Sequence, residues 1–80
     1  MNLERKFGAT VHTYRTAMNY TQFQLAELVG ISTRAIQYIE KGEWLPKKHI
    51  MLKLMSVLNI PANEFNKELD LYVPVYTTNI

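Results

Sequence analysis

Eighty residues, 48% of them hydrophobic and 20% charged, suffice for one small globular domain and exclude a disordered chain. The absence of cysteine excludes disulfides and thiolate metal sites and suits a reducing, cytoplasmic setting. Net charge is +2, but residues 1–50 hold seven Lys/Arg against four Asp/Glu, whereas residues 51–80 hold two against three, so only the first segment is biased toward a polyanion.

No apolar run reaches membrane-spanning length, and the charged start MNLERKFG lacks the apolar region of a signal peptide. Leu3, Phe7, Val11, Tyr14 and Met18 recur at helical spacing and predict a first helix over 2–18. Gly8 is a small cost within it, and Asn19 suits its C-terminal end. Thr21 and Gln24 form a T-x-x-Q capping box that opens a second helix, with Tyr20 and Leu25 in the staple positions. Leu25, Ala26 and Val29 share one face of that helix, and Gly30 can adopt the left-handed conformation that stops it.

Ser32 caps a third helix, Thr33 to Lys41, ended by Gly42. Its inward residues are Ala35, Ile36 and Ile39; Thr33, Arg34, Gln37 and Tyr38 occupy the other face. After the loop EWLP, in which Trp44 is expected to staple onto the core, with a DNA-sugar contact as the alternative, a fourth helix spans 47–58 with Met51, Leu54, Met55 and Leu58 at core spacing. Ile50, Leu52 and Val57 widen its apolar surface. Pro61 opens a short fifth helix over 62–69, anchored by Phe65 and Leu69. The tail LDLYVPVYTTNI changes to period two: Leu69, Leu71, Val73 and Val75 alternate with polar residues, tyrosine and proline, a strand signal that Pro74 confines to an edge. The expected organisation is a helical domain over 1–69 and a tail over 70–80.

Two short helices joined by a tight glycine-containing turn describe a helix-turn-helix, whose second helix can enter a DNA major groove about 12 Å wide. The stretch 21–42 resembles that motif in the lambda-repressor and Cro-like family, also called the xenobiotic-response-element type. The resemblance rests on Thr21-Gln22, Leu25-Ala26, Gly30-Ile31-Ser32, Ile36, Ile39-Glu40, Lys41-Gly42 and Pro46, and it extends over residues 3–67. Phe23 and Leu28 depart from it, standing where the family usually has small or polar residues. They could extend the core or form a protein-binding patch.

The resemblance implies an all-α, five-helix fold with a short extended C-terminal tail, and a sequence-specific transcriptional regulator, a repressor, that binds double-stranded DNA as a homodimer. A bacterial or phage-encoded origin fits. It also implies an Arg15–Glu40 structural pair, and a Gln22 that reaches a phosphate or supports a side chain of the third helix. Given that fold, Thr33, Arg34, Gln37 and Tyr38 are the candidate base contacts. Arg34 can pair with guanine O6 and N7, and Gln37 can do the same with adenine. Gln22, Lys41, Lys47 and Lys48 are the candidate phosphate contacts. Lys47, Lys48 and His49 oppose the dipole at the start of the fourth helix, a placement that phosphate contact explains better than stability does. Leu69, Leu71, Val73 and Val75 are the candidate dimer contacts.

His12 and His49 lack companions at ligand spacing, so no metal is expected, and no cofactor. No glycine-rich phosphate loop, nucleophile elbow or paired acids suggest an enzyme. Two alternatives stand beside it: an antitoxin-type regulator whose main partner is a toxin protein, and a protein-interaction module that has lost DNA binding.

Overall fold

In a computed structural model, residues 2–65 are described. They form four α-helices and one 3-10 turn: α1 (Leu3–Ala17), α2 (Gln22–Val29), α3 (Thr33–Lys41), α4 (Lys48–Leu58) and the turn Ala62–Glu64. The expected helices α2 and α3 appear at their expected bounds. Lys47 is the N-cap of α4 rather than its first residue. The expected fifth α-helix is not seen over 62–64: this stretch closes a single 3-10 turn with Phe65 N–H donating to the Ala62 carbonyl. The rest of that element, with Leu69, and the tail strand of Leu71, Val73 and Val75 lie outside the described residues.

Local chemistry sets each helix end. The Asn2 carboxamide accepts from the Arg5 N–H at 2.9 Å and opens α1. The Thr21 hydroxyl accepts from the Gln24 N–H at 3.0 Å, while the Gln24 side chain accepts from the Thr21 N–H at 2.9 Å. The Ser32 hydroxyl accepts from the Ala35 N–H at 3.0 Å. Such caps contribute about 1 kcal/mol each, a large fraction for helices of two or three turns. At the other ends the chain turns left-handed at Asn19, Gly30, Gly42 and Asn59. Asn19 and Asn59 manage this without glycine, as asparagine can.

One core joins the helices. Phe7 and Val11 of α1, Leu25, Ala26 and Val29 of α2, Ile36 and Ile39 of α3, and Met51, Leu54, Met55 and Leu58 of α4 are buried together. Burial of a large apolar side chain contributes about 1.5–3 kcal/mol, so this shared core holds helices too short to stand alone. Phe65, reached from the 3-10 turn, is fully buried and meets Phe7 edge to face at 5.4 Å. The Lys6 ammonium lies 4.9 Å from the Phe65 ring centre, on the chain's final described residue. Ile50 and Val57 pack at the core margin, as expected, while Leu52 faces solvent.

Gly8 is more than a tolerated cost. It is buried where α1 crosses α3, and a Cβ there would overlap the Ile39 carbonyl oxygen. Only a residue without Cβ lets the two backbones approach this closely. We therefore expect Gly8→Ala to destabilise the fold by about 1–3 kcal/mol, the usual cost of overpacking, despite alanine's better helix propensity. Urea unfolding checks this. A variant as stable as the parent, or more stable, would show that the crossing is looser than described.

Candidate DNA interface

The site is built on a corner. Gly30, with φ of 85°, turns the chain between α2 and α3, and the Gly30 and Ile31 N–H groups both donate to the Ala26 carbonyl. Ile36 and Ile39 then face inward and are fully buried. The helical period leaves Arg34, Gln37 and Tyr38 exposed on the opposite side, with Thr33 half-buried at its start. The expected base-contact residues thus share one solvent-facing surface of α3.

A polar cluster locks the orientation of that surface. Glu40, near the end of α3, keeps only 6% of its side-chain surface, and Arg15 of α1 keeps 11%. They pair through two bonds, Arg15 Nε to Glu40 Oε2 at 2.6 Å and Arg15 Nη2 to Glu40 Oε1 at 3.1 Å. Arg15 Nη1 also donates to the Tyr20 carbonyl at 2.8 Å, which fixes the linker into α2. The Gln22 amide of α2 donates to Glu40 Oε1 at 3.1 Å. One carboxylate therefore ties three helices together. The expected Arg15–Glu40 pair is present, and Gln22 joins it, so that Gln22 contacts an α3 side chain in the free protein.

The histidine at 12 was not expected here. His12 Nδ1 lies 3.1 Å from Glu40 Oε1 and 3.3 Å from Arg15 Nη2. Its position three residues before Arg15, on the same face of α1, was the available signal. Burial pushes the Glu40 pKa up. The hydrogen bonds from Arg15, His12 and Gln22, with the Arg15 charge, outweigh that and hold it below the ordinary value.

The start of α4 supplies a second feature. Lys47 makes no side-chain cap, and the first turn carries no acid. Its amide N–H groups and the positive end of its dipole are left together with Lys47, Lys48 and His49. Lys47 and His49 are exposed and Lys48 is half-buried. This combination of free amides, dipole and cations is what a phosphate requires. Lys41, also exposed, completes the basic set at the end of α3.

Trp44 does not staple the loop onto the core. It is 42% exposed and lines a shallow groove with Ser32, Arg34, Ala35 and Tyr38. Two residues further along the same loop it is Pro46, fully buried, that turns inward. Phe23 and Leu28, at 58% and 48% exposure, do not extend the core; they face solvent on α2. Among the described residues no cluster of His, Cys, Asp or Glu could hold a metal ion, and no helix is long and apolar enough to cross a membrane.

Comparison with known proteins agrees with this geometry. The helix-turn-helix family model matches residues 11–65. An uncharacterized HTH-type transcriptional regulator of Bacillus subtilis, YazB, is 36% identical over 58 residues, covering 72% of this chain and 84% of that protein. The cryptic phage CTXphi transcriptional repressor RstR of Vibrio cholerae is 38% identical over 50 residues, covering 62% of this chain and 45% of the repressor. An uncharacterized HTH-type transcriptional regulator of Archaeoglobus fulgidus is 33% identical over 49 residues, covering 61% of this chain and 69% of its own.

The depressed Glu40 pKa makes stability depend on pH. Its folded value lies below the ordinary 4.5, so the ion-pair contribution is present above that pH and is lost as pH falls through the folded value. Urea unfolding from pH 7 down to pH 2 should show the parent losing more stability below about pH 4.5 than Glu40→Gln does. At pH 7 that variant should be about 1–3 kcal/mol less stable. Parallel pH profiles would remove Glu40 from the acid transition.

Proposed function

This chain belongs to the helix-turn-helix family of DNA-binding transcriptional regulators, and we propose that it is a repressor that grips operator DNA as a homodimer. The observation that carries the site assignment is the face of α3. Thr33, Arg34, Gln37 and Tyr38 stand outward on a helix whose opposite side is fully buried. Such a face can enter the major groove without disturbing the core.

In this reading Arg34 pairs with guanine and Gln37 with adenine; Thr33 meets a thymine methyl and Tyr38 a base or the backbone. Lys41, Lys47 and Lys48 bind phosphates, the last two together with the free amides of α4. Gln22 holds Glu40 through its amide nitrogen, and its carboxamide also lies at the start of α2, where a phosphate can be approached. Repression follows from occlusion of polymerase at the operator, and the phage repressor among the relatives supports that sign.

One recognition helix reads too few base pairs to select a site in a genome. Two copies related by a two-fold axis would meet half-sites about 34 Å apart on one face of the duplex. We assign the DNA-binding domain to residues 1–69 and the dimer contact to the tail 70–80 together with Leu69, through Leu69, Leu71, Val73 and Val75. A second reading, regulation through a protein partner of the antitoxin type, is favoured by one feature: two large apolar side chains of α2, Phe23 and Leu28, are each exposed.

Two experiments test the DNA contacts. In a salt titration the parent's log K should fall linearly with log salt, and Lys47→Ala with Lys48→Ala should flatten the slope by about 1.8, two phosphates' worth. An unchanged slope removes these lysines from the interface. In selection from a random DNA pool, Arg34→Ala should cost about 1–3 kcal/mol on the parent's preferred site and relax one base-pair position. Identical consensus sequences for variant and parent contradict the base-reading role.

A further inference from the structure

Trp44 is a large aromatic residue that neither the core nor the contacts above employ. The turn that presents it is well fixed. Gly42 is left-handed with φ of 76°, and a Cβ there would come within 3.0 Å of the Arg5 Cα, so the chain must pass α1 closely at this point. The next N–H, of Glu43, donates to the Tyr38 carbonyl at 2.9 Å. The loop therefore starts from the last turn of α3, and Trp44 stands beside Tyr38.

The groove they line has a definite chemistry. Ser32, Arg34 and Ala35 form one wall, from the first turn of α3; Tyr38 and Trp44 supply the rest. Arg34 is the one charged residue among these five. The Ser32 hydroxyl already accepts from the Ala35 N–H. A phosphate would find few donors here, and phosphates are bound by cations and free N–H groups. A base edge fits better, because the groove is continuous with the face of α3 that carries Arg34. In the major groove, the apolar group that a base pair displays is the C5 methyl of thymine.

We infer that Trp44, with Tyr38 and Ala35, forms an apolar slot that takes the C5 methyl of a pyrimidine next to the guanine paired with Arg34. Trp44 is then a specificity-determining residue outside the recognition helix. The slot rests on the DNA-binding reading above, and it narrows it to a prediction about one methyl group. Thymine and 5-methylcytosine carry the same methyl, so the slot also makes binding responsive to cytosine methylation at that position.

The test uses the parent's selected operator as a synthetic duplex, with binding followed by fluorescence anisotropy. Each thymine is replaced in turn by uracil, which removes the methyl and nothing else. Apart from a thymine met by Thr33, whose sensitivity would not depend on Trp44, we expect one position per half-site, adjacent to the guanine whose readout depends on Arg34, at which uracil binds about fourfold more weakly, the worth of one buried methyl. At that position 5-methylcytosine should bind more tightly than cytosine, which identifies the methyl rather than thymine's carbonyl as the recognised group. Trp44→Ala should bind the thymine and uracil duplexes with equal affinity, and Trp44→Leu, which keeps an apolar wall, should retain part of the difference. Thermal unfolding of both variants, followed by circular dichroism, verifies that they are folded.

A parent that binds its operator but treats thymine and uracil alike at every position overturns the slot and leaves the DNA-binding reading intact. A Trp44→Ala variant that keeps the full difference between thymine and uracil also overturns it. A parent that binds no DNA overturns both.

Discussion

The outward face of α3 depends on a single carboxylate. Glu40 is almost wholly covered, yet it accepts from Arg15 of α1 and Gln22 of α2 and lies against His12. A charge in that position would be costly if any partner were missing. Its bonds instead fix the angle at which α3 leaves α2 and the distance at which α1 lies over both. The backbone contact of Gly8 with Ile39 sets the same arrangement from the apolar side, one residue before Glu40. Polar and steric constraints therefore act on neighbouring residues at the same end of α3, and the outward face of that helix is rigid because both hold.

This rigidity suits the proposed function. Side chains that read base edges discriminate well only if they arrive already oriented, since ordering them on binding would cost conformational entropy. The helices of the motif are two to three turns long and would fray alone. Capping by Thr21 and Ser32, the left-handed turns at Gly30 and Gly42, and the Glu40 cluster supply what length does not. The uncapped, acid-free start of α4 is the exception, and it is the end at which a ligand anion can do the capping.

Where a local rule acts on adjacent residues, the sequence was a good guide. The capping box at Thr21 and Gln24, the Ser32 cap, and glycine at 30 and 42 gave α2 and α3 at their observed ends. The spacing of Ile36 and Ile39 gave the outward face of α3. Features that depend on tertiary neighbours were harder to see. Gly8 read as a helix cost because its reason, the Ile39 carbonyl, lies 31 positions away along the chain. His12 read as isolated because Glu40 reaches it only across the helix crossing. Trp44 suggests a core staple because indoles usually bury, yet in the folded loop it is the neighbouring Pro46 that is buried and the indole that stays exposed. The expected fifth helix began with the right proline, but the chain at 62–64 closed 3-10 bonds that deliver Phe65 to Phe7.

The central claim is that the solvent-facing side of α3, with the start of α4, is the surface that meets DNA. Amide chemical-shift mapping of the protein titrated with its selected operator duplex tests it most directly. The account predicts that the largest perturbations fall on residues 33–38 and on the amides of Lys48 and His49, with Phe23 and Leu28 little changed. Perturbations concentrated on Phe23, Leu28 and other exposed residues of α2, with α3 unaffected, would contradict it.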